Sequence, residues 1–170
     1  MHSTRREQTM DNVLQLAGLA APDVRELRTR MQGEVVVPGD EAWDAARQAW
    51  NLSVDQRPAA VAIVATVEDV MEVIDFARAA GLRVAPQGTG HNAGALGDLR
   101  DTMLLKTHEL RGVTIDAERG VARAAAGTIW IEVVEAAAAH GLAALAGSSP
   151  DVGVVGYTLG GGLSWLARKH

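Results

Sequence analysis

Arg83-Val84-Ala85-Pro86-Gln87-Gly88-Thr89-Gly90-His91-Asn92-Ala93-Gly94 is the stretch on which the reading of this chain turns. A short apolar run halts at Pro86, and a glycine-spaced turn then delivers a single histidine. A strand, a proline stop and a loop whose backbone can come close to a ligand have the shape of a phosphate-binding turn. Consecutive amides from Gln87 to His91 can converge on an anion there without a lysine. An ordinary glycine turn is the alternative. A second glycine-dense segment, Gly147 to Gly162, could face the first across a shared ligand.

Upstream of the loop, Ala60 to Ala65 is a near-continuous apolar run, as expected of a strand buried on both faces. Thr66-Val67-Glu68-Asp69 caps a helix in which Val67, Val70, Met71, Ile74 and Ala77 follow helical spacing. Gly81 ends that helix and Leu82 to Ala85 forms the next strand. This β-α-β unit implies a parallel pair feeding straight into the loop. Further back, Pro22-Asp23 starts a helix through Val24, Leu27 and Met31, after Leu14, Leu16 and Leu19 at near-helical spacing. Gly33 closes it, and Glu34 to Val37 is a short β-branched strand stopped by Pro38-Gly39. Asp40 then caps a helix with Trp43, Ala46 and Trp50 on one face, and 51–58 is a polar connection.

Downstream, Thr102 to Leu105 is a strand. Val113–Asp116 and Val121–Ala124 flank Ala117-Glu118-Arg119-Gly120 as an antiparallel hairpin. Thr128 caps a helix with Trp130, Val133, Val134 and Ala137 on one face, ended by Gly141, and Leu142 to Ala146 reads as another strand. The class is α+β: a small parallel β-α-β subdomain, then a mixed or antiparallel sheet flanked by helices, with two β-α-β passages around a hairpin.

Composition narrows the function. The 170 residues are 48% apolar, enough for one hydrophobic core, with no run near the roughly 20 residues that span a bilayer. Net charge is −5 with no basic stripe, which argues against nucleic acid as a partner. Cysteine is absent, so disulfides, thiolate catalysis and Cys-ligated metals are excluded. Arg5-Arg6 ahead of Val13–Ala21 hints at a twin-arginine leader, but Glu7, Gln8, Asp11 and Asn12 interrupt it. An exposed N-terminal helix in a cytoplasmic protein is preferred.

Gly88-x-Gly90-x-x-Ala93 matches the dinucleotide fingerprint after a strand, yet that fingerprint needs a helix at the loop and an acid about 20 residues on. Ala93-Gly94-Ala95-Leu96-Gly97-Asp98 is too glycine-rich for a first helical turn, and the next strand ends in Lys106-Thr107. The context test fails, and no G-K-[ST] makes a P-loop. His108-Glu109 lacks a second cluster at metal-ligand spacing and reads as a solvated turn. His140 sits near a helix C-terminus. Trp43, Trp50 and Trp130 read as core aromatics, and Glu132 and Glu135 show no paired role.

Gln87-Gly88-Thr89-Gly90-His91-Asn92 resembles the R-x-G-G-H-N loop of flavoproteins of the vanillyl-alcohol oxidase type, and more narrowly the berberine-bridge-enzyme and hexose-oxidase branch. Pro58 to Thr66 and Val67–Ala80 look like the opening strand and helix of that family. Gly147-Ser148-Ser149-Pro150-Asp151-Val152-Gly153-Val154-Val155-Gly156-Tyr157-Thr158-Leu159-Gly160-Gly161-Gly162 resembles its second flavin-binding segment, and Leu163 to His170 continues the likeness. The resemblance runs from about Val35 to the end, and the ordered pair of loops is far more specific than either glycine pattern.

The resemblance implies an FAD-binding PCMH-type domain. Its cofactor-binding residues would be Pro86, Gln87, Gly88, Thr89, Gly90, His91 and Asn92 in the first loop. In the second they would be Gly147, Ser148, Ser149, Val152, Gly153, Gly156, Tyr157, Gly160 and Gly161. His91 occupies the place of the histidine that attaches covalently to the flavin. A second link through cysteine is ruled out, because Ser149 stands at that position. The loop arginine of the family is replaced by Gln87. No catalytic base is identified and no metal is expected. The resemblance further implies hydride transfer from an alcohol, sugar or alkaloid-like substrate to FAD, with re-oxidation by O2.

Residues 1–55 are then an N-terminal helical segment leading into the FAD domain, and 56–170 an FAD-binding domain that is C-terminally incomplete, with no substrate domain. A fragment of a longer oxidase and a truncated, inactive protein both fit that expectation, and the segment alone should not turn over. An unpaired sheet edge would favour self-association. A non-catalytic flavin- or nucleotide-binding module, or an interaction domain whose glycines are only turns, remain alternatives.

Overall fold

A computed structural model describes residues 22–169. The segment Leu14 to Leu19 and the Arg5-Arg6 motif lie outside the described residues. Twelve short elements follow in order. They are α1 (Arg25–Arg30), β1 (Glu34–Val36), α2 (Trp43–Ala46), β2 (Ala60–Ile63), α3 (Val67–Ala80), β3 (Arg83–Gln87), a 3-10 turn (Ala93–Leu96), β4 (Thr102–Lys106), β5 (Val113–Asp116), β6 (Val121–Ala124), α4 (Trp130–Ala138) and α5 (Val154–Leu159).

One mixed sheet has the order β1-β2-β4-β3. β2 and β3 run parallel, as the β-α-β unit implies, but they are not neighbours. β4 lies between them, with Val61 opposite Leu104 on one side and Ala85 opposite Leu104 on the other. The reason is burial: Thr102–Lys106 is buried along its whole length, so the strand belongs in the middle of the sheet. β1 closes the other edge antiparallel to β2.

Side-chain alternation divides the core between the two sheet faces. Ala60, Ala62, Met103 and Leu105 pack under α1 and α3 with Leu27, Met31, Val73 and Ala77. Val61, Leu104, Val36, Ala85 and Leu99 form the opposite layer, covered in part by Trp43, Ala46 and Leu96. The ends of α3 follow local chemistry. Thr66 Oγ1 accepts from Asp69 N–H (3.1 Å), the Asp69 carboxylate returns a bond to Thr66 N–H, and Gly81 leaves the helix at φ 68°. Its buried face departs from the spacing: Asp69, Val73 and Ala77 point inward, whereas Val67, Met71 and Ile74 are exposed. Asp69 turns inward because it also accepts from Gln32 N–H (2.8 Å), Gly33 N–H (3.0 Å) and Ala65 N–H (2.8 Å).

β5 and β6 form the expected hairpin, Val113 opposite Ala124, as a separate two-stranded sheet. Leu142 to Ala146 is not a strand and pairs with no element among the described residues, so the second β-α-β passage does not exist. Two cap assignments also change. Ile129 occupies the N-cap of α4 and its N–H donates to Glu132 Oε2 (3.0 Å), while the Thr128 hydroxyl is spent on Gly112 O (3.0 Å). Asp40 accepts from Val37 N–H (2.8 Å) and pairs with Arg28 instead of capping α2, whose N-cap is Ala42. Residues 165–169 form turns.

Candidate functional site

Four main-chain ties bring the two glycine segments face to face. β3 and β4 run parallel and end together, so Gln87 lies opposite Lys106. Thr107 N–H donates to Gln87 O (3.0 Å) and Thr107 Oγ1 donates to Ala126 O (3.1 Å), which fixes the approach to α4 beside the first loop. The start of α4 then holds the second segment: Trp130 N–H donates to Val152 O (3.0 Å) and Ile131 N–H to Pro150 O (2.9 Å). Val154 N–H completes the tie to Thr128 O (3.0 Å). Gly153 consequently lies against Thr89, where a Cβ would sit 3.8 Å from Thr89 Oγ1.

A cavity of about 480 Å³ opens between the segments. Pro86, Gln87, Gly88, Thr89, Gly90, His91 and Asn92 line one wall, and Val152, Gly153, Gly156, Tyr157 and Gly160 the other. Gly147, Ser148, Ser149 and Gly161 lie off the wall. Gly147 instead backs the Tyr157 ring, where a Cβ would come 3.1 Å from Cε2. The sequence did not single out Thr107, Ala126 or Leu96, which also line the cavity together with Ala93, Val155, Leu159 and Gly162. Their signal is tertiary, since the last turn of β4 and the approach to α4 reach the cavity only through the ties above.

The first loop suits an anion. Among the described residues, the N–H groups of Gly88 to Asn92 donate to no main-chain or side-chain acceptor, so they are available to a ligand. Gly90 makes the bend, with φ 84° and only 2.9 Å between a hypothetical Cβ and Ala49 Cβ. No lysine or arginine lines the cavity. Beneath the loop, Gln87 Nε2 donates to Gln56 Oε1 (3.0 Å), while Gln87 Oε1 and Gln56 Nε2 are buried without partners. Lys106, also buried, donates from Nζ to Gln48 O (2.6 Å), and burial pushes its ammonium down to about 8.

His91 stands in the cavity wall. Its Nδ1 lies 2.7 Å from Thr89 Oγ1, and its Nε2 is buried with no hydrogen-bond partner, 3.8 Å from Asp151 Oδ1. Trp50 corrects the reading of that tryptophan as a core residue. It is 58% exposed and stacks on the imidazole with ring centroids 4.0 Å apart. Its Nε1–H donates to Asp151 Oδ2 (2.8 Å), and its main-chain N–H donates to Thr89 O (3.0 Å). Trp130 is buried and meets Tyr157 edge to face at 5.1 Å, with Trp130 Nε1 and the Tyr157 hydroxyl both unpartnered. Trp43 packs on the second core layer. His108 pairs with Glu109 at 3.4 Å, and no group of three metal-ligating side chains occurs among the described residues.

The two loops, the unpartnered amides and the half-buried imidazole together fit a dinucleotide diphosphate. Comparison with known proteins agrees. Residues 58–170 match a family described as FAD binding domain. The chain is 32% identical over 140 residues to (R)-6-hydroxynicotine oxidase of Paenarthrobacter nicotinovorans, covering 82% of this chain and 31% of that protein. The crystal structure of 6-hydroxy-D-nicotine oxidase from Arthrobacter nicotinovorans superposes with a TM-score of 0.74, at 32% identity over 82% of this chain and 31% of that one. Glucooligosaccharide oxidase from Acremonium strictum, which carries a 6-S-cysteinyl, 8α-N1-histidyl FAD, superposes with a TM-score of 0.74 at 28% identity, over 88% of this chain and 32% of that one. The chain thus spans about a third of the length of these relatives. It belongs to the FAD-binding-domain family, within the PCMH-type, vanillyl-alcohol oxidase superfamily that includes the berberine-bridge-enzyme-like oxidases.

Proposed function

We propose that this chain is the FAD-binding portion of a flavin-dependent oxidase acting on an alcohol, a sugar or an alkaloid-like amine, and that the 170-residue segment alone does not turn over. The observation that carries this is the row of free N–H groups from Gly88 to Asn92, facing Gly153 and Gly156 across one cavity with His91 in its wall. Those amides would offset the two charges of the diphosphate, and the glycine backbone opposite allows close approach. Gly147, Ser148, Ser149 and Gly161 remain proposed cofactor contacts of the second segment, although they lie off the cavity wall. When bound, FAD supplies a hydride acceptor at N5 and passes the electrons to O2. The chain supplies binding, orientation and shelter from water.

His91 is proposed to hold the flavin covalently. His91 would hold the flavin through a C–N bond to its 8α-methyl carbon, with O2 taking up the two electrons and two protons released as hydrogen peroxide. With no cysteine in the chain, the link is single. Purified protein mixed with FAD is expected to show visible flavin absorbance, and the colour is expected to stay in the acid-precipitated pellet. His91→Ala should bind flavin yet lose all colour to the supernatant. Protein that takes up no flavin defeats the proposal, and colour released by acid from wild type defeats the covalent link alone.

A further inference from the structure

We propose that Asp151 and Trp50 are positioning residues for His91, fixing its neutral ring as the Nε2–H tautomer with Nδ1 unprotonated. The two ring nitrogens have different neighbours. Nδ1 meets the Thr89 hydroxyl at 2.7 Å, and a hydroxyl can donate or accept, so Thr89 does not choose the tautomer. Nε2 is buried with no partner, and the nearest polar atom recorded for it is Asp151 Oδ1 at 3.8 Å. An ionised carboxylate only accepts. A proton on Nε2 therefore turns an orphaned buried atom into a donor facing a carboxylate, and the Thr89 O–H then donates to Nδ1, a bond that is released when Nδ1 attaches to carbon. The other tautomer would set a lone pair against a negative charge and leave it unsatisfied.

Trp50 makes the carboxylate dependable. Its indole N–H occupies Asp151 Oδ2 at 2.8 Å, which leaves Oδ1 for the ring. The same indole stacks on the imidazole at 4.0 Å with 17° between planes, so ring rotation is opposed. Its main-chain N–H donates to Thr89 O at 3.0 Å, which holds the residue that receives Nδ1. One tryptophan from the segment before β2 thereby ties the carboxylate of the second glycine segment to the histidine of the first. Carboxylate-oriented imidazoles at metal centres obey the same tautomer logic.

The role in attachment rests on the FAD reading, whereas the tautomer does not, so the test has two arms. In the first, nitrogen-detected NMR of the FAD-free chain at about pH 8.5, above the ordinary histidine range near 6.5, reports which His91 nitrogen carries hydrogen. Wild type is expected to show Nε2–H with a bare Nδ1, and Asp151→Ala a mixture. A dominant Nδ1–H in wild type, or an unchanged tautomer in Asp151→Ala, overturns the proposal whatever FAD does. In the second arm, chain and FAD are incubated and acid-stable flavin is followed over time, beside fluorescence titration of reversible binding. Asp151→Asn should slow attachment by about 10- to 100-fold, the range seen when a carboxylate behind a ligating histidine is removed. Trp50→Phe keeps the stacking but loses the N–H, and should slow attachment less. Reversible affinity is expected to change little in both, which separates positioning from misfolding. Attachment at the wild-type rate in Asp151→Asn sinks the assignment, and wild type that binds FAD reversibly without attaching sinks the attachment role.

Discussion

At the scale of single residues, the site is set by groups whose cost is met nearby. Lys106 is a buried cation with Gln48 O as its recorded hydrogen-bond partner, and desolvation lowers its proton affinity from 10.5 to about 8. Between those two values the unfolded chain holds a proton that the folded chain gives up. Stability should therefore rise with pH through that window and lose this contribution below it. Urea denaturation of Lys106→Met is expected to show a flattened rise there, with stability at neutral pH within ~1 kcal/mol of wild type, because an apolar chain of similar length replaces a buried charge. Gly90 carries a different burden: positive φ and a neighbour at 2.9 Å. Gly90→Ala should cost about 1–3 kcal/mol and weaken FAD uptake, read by denaturation midpoint and flavin titration.

At the scale of elements, the Asp69 carboxylate staples α3 to the turn between α1 and β1. Burial alone would raise its proton affinity, but main-chain N–H groups of Gln32, Ala65, Thr66 and Gly33 outweigh that and hold it below the ordinary value. The depressed group contributes stability that is fully present above the unfolded carboxyl range, near 4, and is lost as pH falls through the folded value. Asp69→Asn points an amide N–H at those donors and should cost about 2–4 kcal/mol, with a flatter acid limb in thermal melts across pH. The ends of α3 were legible in Thr66, Asp69 and Gly81 because capping is local chemistry. The buried face was not, since partners more than 30 residues back decide that Asp69 turns inward and leave Val67, Met71 and Ile74 outside. Leu142 to Ala146 misled for a related reason: its composition suits a strand, yet strand character needs a neighbour to pair with. The loops themselves were legible, because glycine spacing records where the backbone bends. Trp50 and Asp151 were not, since they lie 101 positions apart in the sequence.

At the scale of the whole molecule, apolar surface is distributed unevenly. Leu159, Leu163 and Trp165 are 83%, 77% and 80% exposed around the second glycine segment, while Val67, Met71 and Ile74 form a stripe on α3. We propose that two such patches, with β1 and β3 at the open edges of the sheet, favour association of copies. Sedimentation over a range of concentrations is expected to show self-association that Leu163→Ser with Trp165→Ser reduces. The double change spares the walls of the cavity, so flavin uptake should persist. The match to the FAD-binding-domain family spans residues 58–170, so the indole that backs His91 lies ahead of it, as does the strand that covers the outer edge of β2, although individual relatives match a longer stretch. A recombinant piece started at the first matched residue would carry both loops and still present its histidine unsupported. For this fold the working unit is longer than the part that matches the family, and trimming to that border would remove the splint while leaving the limb.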